Sequence, residues 1–202
     1  LEKVFGQVSR KMTEYISKKL KVDLKKAKEL QTNYFHKYNT SLNGLMIHHD
    51  IKPSEFLKYV HDIDLSFMKK DLILRSELEK LNLKKFIFTN GSKDHANNVI
   101  THLGINDLFD GLFDIVDAEF SPKPAAKAFD LMVKKFKINP RETLYIEDIA
   151  KNLSIGKERG TITAWLINDE YWGKKESDKE FIDYKIENLT LFLKEIRLLK
   201  NS

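Results

Sequence analysis

The second part of the chain, from Met68 onward, alternates short β-rich runs with longer helical stretches. This alternation is typical of a parallel α/β sheet whose strands are joined by helical crossovers. The predicted strands are residues 85–88, 113–116, 143–146 and 162–167, and the predicted helices are residues 72–81, 94–103, 126–136, a stretch ending near Gly160 and a last helix capped by Asn188. The pattern therefore predicts a sheet of about four or five parallel strands, with ligands bound at the carboxyl ends of the strands.

The first part of the chain shows helical periodicity and no strand pattern. Apolar residues recur three and four positions apart through residues 2–20 and 24–38, a short helix is expected within 44–50, and Pro53 suits the first turn of a fourth helix. We therefore predict an all-helical domain over residues 1–66 and an α/β core domain over residues 67–202.

Composition indicates a folded globular protein. The 202 residues are 42% hydrophobic, which is enough for a core, and the net charge of +5 is spread along the chain. This favours a small anionic ligand over a nucleic acid polymer. The chain has no cysteine, which excludes disulfides and thiolate metal sites. No apolar run reaches the roughly 18 residues of a membrane span, and nothing resembles a signal peptide. We expect a cytoplasmic protein, a monomer or weak homo-oligomer, without a membrane partner.

The first predicted strand ends on Thr89, Asn90, Gly91 and Ser92 before a helix begins. A hydroxyl group and backbone N–H groups at a helix N-terminus form a receptor for phosphate oxygens. The alternative is that Ser92 only caps the helix while Asn90 and Gly91 make the turn.

Two further strand ends carry charged residues. Asp117 follows the second predicted strand, and Lys123 lies just beyond it between two prolines that stiffen the backbone. Lys123 is either a solvated loop lysine or a cation held near a phosphate site. Glu147 and Asp148 follow the third strand, with Asn152 four residues later. These oxygens suit Mg²⁺, although an acid that caps a helix beside an exposed asparagine is equally compatible with the pattern.

Three of these motifs together resemble a known family. FTNGS, PKP and EDIAKN resemble the second, third and fourth motifs of the haloacid dehalogenase superfamily of phosphohydrolases. Longer stretches, such as EKVFGQVSRKMTEYI and HLGINDLFDGLFDIVDAEFSPKPAAKAFD, are similar to its pyrimidine 5′-nucleotidase branch, and the likeness extends over residues 1–167. The resemblance implies a Rossmann-like three-layer core with a parallel sheet, and an all-helical cap that closes over the substrate.

The resemblance also implies roles for individual residues. Thr89, with the backbone at Asn90 and Gly91, would hold the phosphoryl oxygens, Lys123 would stabilise the nucleophile and the transferred group, and Asp148 would bind Mg²⁺. Glu147 and Asn152 would assist without ligating the metal directly. The cap residues that would face the substrate are Tyr38, Asn39, Thr40, Leu45 and Met46, while His61 would be a hydrogen-bonding residue at the junction between cap and core.

One family motif is missing from the sequence. The first motif, Asp-x-Asp-Asn-Thr on an apolar strand, carries the nucleophile, the general acid/base and a Mg²⁺ ligand, and its strand is central in the sheet. Asp62-Ile63-Asp64 has the spacing, but it follows a helix and matches the family's cap-to-core junction. We expect the motif upstream of Leu1. Either the sequence begins inside a longer chain or the segment is truly lost, and in both cases this chain alone is expected to be inactive.

The resemblance implies a Mg²⁺-dependent phosphomonoesterase acting through an aspartyl-phosphate intermediate, with a pyrimidine nucleoside 5′-monophosphate as the small-molecule substrate. Two alternatives stay open at this point: a sugar-phosphate or phosphoglycolate-type phosphatase of the same superfamily, and a non-catalytic phosphate-binding relic. A haloacid dehalogenase proper is disfavoured, because Asp148 in a metal-binding pattern serves phosphoryl transfer.

Overall fold

The structure, a computed structural model, describes residues 2–200. Leu1 and residues 201–202, at the outer ends of the two predicted domains, lie outside the described residues. Within the described part, none of the helices combines the length and the hydropathy that crossing a membrane would require.

The N-terminal third is helical, as predicted. Its helices are α1 (Glu2–Leu20), α2 (Leu24–Tyr38), α3 (Ser41–His48) and α4 (Pro53–Val60). Side chains begin two of them: the Asp23 carboxylate accepts from the backbone N–H of Lys26 at 2.8 Å, and the Thr40 hydroxyl accepts from that of Asn43 at 3.1 Å. Asn39, with a φ of 65°, ends α2 in the left-handed conformation and turns the chain into α3.

These four helices share one apolar core. It is built from the spaced positions of all four helices, and its fully buried members include Ile16, Ala27, Leu45, Phe56 and Val60. Ile115, from the α/β part of the chain, packs into the same cluster. The helical part is therefore attached to the rest of the molecule through apolar packing as well as through the chain.

The remainder alternates strands and helices. Its strands are β1 (Phe86–Phe88), β2 (Gly111–Phe113), β3 (Leu144–Glu147), β4 (Ile162–Leu166) and β5 (Tyr184–Ile186). Its helices are α5 (Leu72–Lys80), α6 (Lys93–Leu103), α7 (Ala126–Phe136), α8 (Leu153–Glu158), α9 (Tyr171–Lys174) and α10 (Leu189–Lys200). Gly104, with a φ of 73°, ends α6, and the Asn188 side chain accepts from the N–H of Leu191 at the start of α10, both as predicted.

All strand pairs are parallel, which confirms the predicted α/β class, but the strands form two sheets. β1 pairs with β2, and β3, β4 and β5 follow one another in the second sheet. Among the described residues no backbone ladder joins β1 to β3. The two sheets nevertheless lie side by side, since the rings of Phe88 in β1 and Tyr145 in β3 are 6.2 Å apart between centroids.

Alternate side chains of β3 enter two different cores, because successive residues of a strand point to opposite faces. Tyr145 packs with Phe113, Phe129 and Trp165 in a cluster that involves α7 and α8. Ile146 packs on the other side in a cluster formed mainly by α5, α10 and the end of α6. Helices therefore cover both faces of the sheet, as in the predicted three-layer core.

Two predictions about the elements were wrong. The second strand is Gly111–Phe113 instead of residues 113–116, because Asp114 leaves the strand and folds its carboxylate back onto the local backbone. The segment before the last helix contains α9 and β5, which were not predicted. The sequence of β5 gives only a weak strand signal, because Tyr184 and Lys185 are exposed and only Ile186 is buried.

The packing of α3 on α2 gives a first testable prediction. A β-carbon on Gly44 would lie 2.4 Å from both Cβ and Cγ of Tyr34, atoms near the backbone that cannot move aside easily. We expect Gly44→Ala to destabilise the protein by about 1–3 kcal/mol through overpacking. Urea unfolding followed by circular dichroism measures the change.

Gly6 in α1 is the matched control. It is exposed, and nothing lies within 4 Å of an added β-carbon. Gly6→Ala should therefore raise stability by up to about 1 kcal/mol, the ordinary helix-propensity gain. Equal effects of the two substitutions would contradict the packing described for α2 and α3.

Candidate active site

The loop of residues 89–92 connects β1 to α6. The backbone N–H of Thr89 donates to the carbonyl of Phe113 at 3.0 Å, which continues the ladder between β1 and β2. The Thr89 hydroxyl accepts from the N–H of Gly91 at 2.9 Å, and the Ser92 hydroxyl caps α6 by accepting from the N–H of His95 at 3.4 Å. The capping role weighed for Ser92 is thus present. The loop folds tightly at a helix N-terminus, where anions are favoured.

Lys123 lies buried beside this loop. Its backbone N–H donates to the Asn90 side chain at 2.8 Å, and its ammonium donates to the carbonyl of Phe88 at 2.8 Å. Lys123 thus contacts the residues on both sides of Thr89. The ammonium also forms a short charged hydrogen bond to the carboxylate of Glu147 at the end of β3. Lys123 is therefore held at the carboxyl ends of two strands and is not a solvated loop lysine.

Glu147 and Asp148 occupy different environments. Burial disfavours the ionised form of Glu147, but the Lys123 ammonium outweighs burial and holds the pKa of Glu147 below its usual value. Burial and then the neighbouring Glu147 charge raise the pKa of Asp148 to about 7. The carbonyl of Asp148 is fixed by the Trp165 indole at 3.1 Å and the Asn168 amide at 2.7 Å. One lysine thus faces two adjacent carboxyl groups, and Glu147 is the one whose ionised form it favours.

The donor set at Asp148 fits a magnesium ion. Asp148 supplies a hard carboxylate oxygen at the end of β3, and Mg²⁺ takes few protein carboxylates because it keeps waters and substrate phosphate. Glu147 is already engaged by Lys123, and the Asn152 amide donates to Glu147 at 3.3 Å. Across residues 2–200 no group of three or more acidic or histidine side chains could form a complete metal cage. Asp148 is therefore the residue that would hold the ion.

Asp114 is a structural residue of the site that the sequence interpretation missed. Its buried carboxylate accepts from the backbone N–H groups of Lys93 at 2.8 Å, Val116 at 3.0 Å and Asp117 at 2.8 Å. It therefore joins the start of α6 to the end of β2. An aspartate inside an apolar run is the signal that could have revealed it, because aspartate is rare within strands. Asp117 itself pairs with Lys135 of α7 at 2.6 Å.

His61, at the end of α4, reaches the same loop from the helical part of the chain. Its Nδ1 lies 2.8 Å from the Ser92 hydroxyl, and its ring stacks on that of His95 with centroids 4.2 Å apart and an interplanar angle of 8°. Burial, and secondarily His95, lower the pKa of His61 to about 3, and burial lowers the pKa of His95. His61 is a junction hydrogen-bonding residue, as expected, and both rings are neutral at pH 7.

Of the cap residues implied by the resemblance, Asn39 contacts the α/β core. Its side-chain oxygen accepts from the Lys151 ammonium at 3.1 Å. Tyr38 makes a short hydrogen bond to His48 within the cap, and the Thr40 hydroxyl caps α3. The last two residues of the set belong to the apolar packing of the cap, where Leu45 is fully buried and Met46 is partly buried.

A narrow cleft lies between the cap and the core at Asn39 and Lys151. Phe35 and His36 line it from the cap, and Trp172 and Lys175 line it from the core. The cleft has a volume of about 30 Å³, whereas ligand sites usually measure ~300–1,000 Å³. Trp172 also contacts Phe5 of α1 edge-on, with centroids 5.2 Å apart. A ligand larger than water would require the cap to move away from the core.

Comparison with known proteins identifies the family. The family model described as haloacid dehalogenase-like hydrolase matches residues 4–160, which is more than half of the chain. The chain therefore belongs to the haloacid dehalogenase-like hydrolases, and the predicted superfamily and fold are confirmed.

Two curated relatives and several solved structures are similar to this chain. Phosphate metabolism protein 8 of Saccharomyces cerevisiae is 31% identical over 140 residues, covering 61% of this chain and 43% of that protein. D-ribitol-5-phosphate phosphatase of Bacteroides thetaiotaomicron is 42% identical over 50 residues, covering 25% of this chain and 24% of that protein. The matched regions thus span less than half the length of either curated relative.

The structural likeness extends over nearly the whole chain. A HAD phosphatase from Thermococcus onnurineus has a TM-score of 0.60 at 18% identity, covering 98% of this chain and 91% of that one. The magnesium-bound putative HAD-hydrolase YfnB from Bacillus subtilis has a TM-score of 0.56 at 17% identity, covering 98% and 93%. At these identities the likeness concerns the fold.

The Lys123–Glu147 pair gives the second prediction. Lys123→Met keeps the aliphatic stem but leaves the buried Glu147 carboxylate without its cation, and breaking such a pair typically costs about 3–5 kcal/mol. Combining it with Glu147→Gln should recover part of this loss, since a neutral amide needs no counter-charge. Urea unfolding of the single and double variants measures the coupling. Lys127→Met, which removes an exposed pair with Glu119, should change stability by less than about 1 kcal/mol.

The stacked histidines give the third prediction. In the unfolded chain His61 binds a proton near pH 6.5, whereas in the folded protein its pKa is about 3. Protons therefore favour the unfolded chain, and the stability present above pH 6.5 falls as the pH is lowered towards 3. Between pH 6.5 and pH 5 we expect a loss of about 2 kcal/mol from this residue. Urea unfolding of wild type and His61→Phe at both pH values measures it, and an identical pH dependence in the two proteins would contradict the assignment.

Proposed function

We propose that this chain forms the phosphate-binding and metal-binding part of a Mg²⁺-dependent phosphomonoester hydrolase. The observation that carries the proposal is the buried Lys123, which contacts the residues flanking Thr89 at the end of β1 and Glu147 at the end of β3. A fixed ammonium beside a loop at a helix N-terminus and an acidic strand end is suited to stabilise a phosphoryl group. Family membership supports the same chemistry.

In the proposed site, Thr89 and the N–H of Asn90 hold the phosphoryl oxygens, with Gly91 allowing close approach of the backbone. Lys123 balances the charge that collects on the phosphoryl group, and Asp148 provides the carboxylate for Mg²⁺. Glu147 keeps Lys123 in place through their buried pair, and Asn152 supports Glu147. When bound, the ion neutralises charge on the phosphoryl oxygens.

The nucleophile would come from a strand between β1 and β3. The two sheets meet there without a shared ladder among the described residues, so both strands have an unpaired edge on which another strand could pair. The resemblance assigns the first motif to that strand. A carboxylate oxygen of its first aspartate would bond to phosphorus while the bond to the leaving oxygen breaks. The second aspartate would protonate the leaving oxygen and then deprotonate the water that releases phosphate.

The preferred substrate class is a pyrimidine nucleoside 5′-monophosphate. The resemblance of residues 1–167 to the 5′-nucleotidase branch supports it, and so do Phe35 and Trp172 on the two sides of the cleft, whose rings could pack on a planar base once the cap opens. A sugar phosphate is the second candidate, favoured by the similarity of 50 residues to D-ribitol-5-phosphate phosphatase. Of the cap residues that the resemblance implies (Tyr38, Asn39, Thr40, Leu45 and Met46), we propose Asn39 to recognise the leaving group, because it lines the cleft, whereas Leu45 is fully buried in the cap core.

The fourth prediction concerns activity. The 202-residue chain alone should release no phosphate from p-nitrophenyl phosphate, whereas the same chain extended before Leu1 by a family strand with Asp-x-Asp-Asn-Thr should do so with Mg²⁺. In the extended protein, Thr89→Val should lower kcat/KM about 10²-fold, because it removes a hydroxyl from the phosphoryl site. Thr101→Val, on the exposed face of α6, is the control and should leave kcat/KM unchanged.

The outcome separates the candidate functions. Faster hydrolysis of pyrimidine nucleoside monophosphates than of pentose phosphates supports the nucleotidase, and the reverse order supports the sugar-phosphate enzyme. Binding of phosphate or Mg²⁺ by the extended protein without turnover would support the non-catalytic relic and overturn the enzyme proposal.

A further inference from the structure

His61 links the cap to the loop of residues 89–92 by one contact and to the start of α6 by a second. Its Nδ1 is 2.8 Å from the Ser92 hydroxyl, and its ring lies flat on His95, in the first turn of α6. Ser92 is the residue that caps α6, so the cap reaches the loop at the point where the helix begins. A contact here can control the direction of the backbone N–H groups of the loop.

The other hydrogen bond of Ser92 indicates which group donates in this contact. The Ser92 oxygen accepts from the N–H of His95, and its hydroxyl proton can be donated to Nδ1 of His61. The ring proton of His61 then lies on Nε2. Nε2 of His61 and the Thr89 hydroxyl both lie close to Gly91. A β-carbon added to Gly91 would be 3.7 Å from Nε2 of His61 and 3.3 Å from the Thr89 hydroxyl oxygen. His61 thus closes the side of the loop at Gly91.

We propose that His61 is a positioning residue for the phosphoryl site. It acts through Ser92 and holds residues 89–92 in their anion-binding shape only while the cap lies against the core. The inference rests on the proposed function in one respect, the identity of the ligand as a phosphoryl group. Because coupling between two equilibria is reciprocal, phosphate bound at the loop would also favour the closed position of the cap.

The chemistry of the pair suits this role. A protonated ring would place a second cation against the loop and against its stacked partner, whereas a neutral ring can accept the Ser92 proton without adding charge. Burial keeps both rings neutral at pH 7, so Lys123 remains the cation assigned to the phosphoryl group. His61 therefore fixes geometry and leaves the charge of the site unchanged.

Two substitutions of His61 separate the hydrogen bond from the stack. His61→Phe keeps an aromatic ring on His95 but has no acceptor for Ser92. His61→Asn places a polar atom near the position of Nδ1 but has no ring. His49→Phe is the matched control, since His49 makes a comparable hydrogen bond of 2.8 Å to Tyr34 inside the cap, away from the loop.

The first measurement is the binding of inorganic phosphate to the 202-residue chain. Binding is monitored through the amide ¹H–¹⁵N chemical shifts of Gly91 and Ser92. We expect His61→Phe to raise the dissociation constant about fivefold, the typical effect of one lost hydrogen bond, and His61→Asn and His49→Phe to stay within about twofold of wild type. Wild-type affinity in His61→Phe, with Ser92 shifts unchanged, would overturn the proposal.

The second measurement needs no ligand. Amide hydrogen exchange at His95, whose N–H is capped by Ser92, should become at least about tenfold faster in His61→Phe and stay near the wild-type rate in His61→Asn and His49→Phe. Unchanged exchange in His61→Phe would refute the positioning role. If the variants show this exchange pattern while the wild-type chain shows no phosphate-induced shifts, the result would count against the proposed function and in favour of the positioning role.

Discussion

The contact between the Lys123 ammonium and the Glu147 carboxylate is the interaction on which the site depends. Both side chains are buried, and neither charge would be tolerated there without the other. Lys123 also donates to the carbonyl of Phe88, so the pair joins the end of β1 to the end of β3, two strands that share no backbone ladder within residues 2–200. The pair therefore brings together the loop after β1 and the acidic end of β3.

The position of this pair explains the unequal character of the two acidic residues. Glu147 is neutralised by Lys123, while Asp148 is left with a raised pKa and a backbone carbonyl fixed by Trp165 and Asn168. One carboxylate therefore anchors the lysine, and the proposed function assigns the next one to Mg²⁺.

The site was predictable from the sequence where it depends on strand ends. Thr89, Lys123 and Glu147 were expected to converge because the carboxyl ends of parallel strands lie at one edge, and Lys123 contacts the other two strand ends as expected. Asp114 was assigned to a strand interior, because a short apolar run does not show where its ladder stops. The division into two sheets and the stacking of His61 on His95 depend on how distant segments pack, and local periodicity carries no information about that.

A bound ligand would affect two contacts between cap and core in opposite ways. The Asn39–Lys151 hydrogen bond crosses a cleft of about 30 Å³, so a leaving group could enter only after that contact opens. The contact between His61 and Ser92 lies at the loop of residues 89–92, where the proposed anion would strengthen it. A molecule with both a phosphoryl group and a leaving group of the right size would open the first contact and strengthen the second. Free phosphate would only strengthen the second. The cap would then respond to the whole substrate, because its position is coupled to both halves of the site.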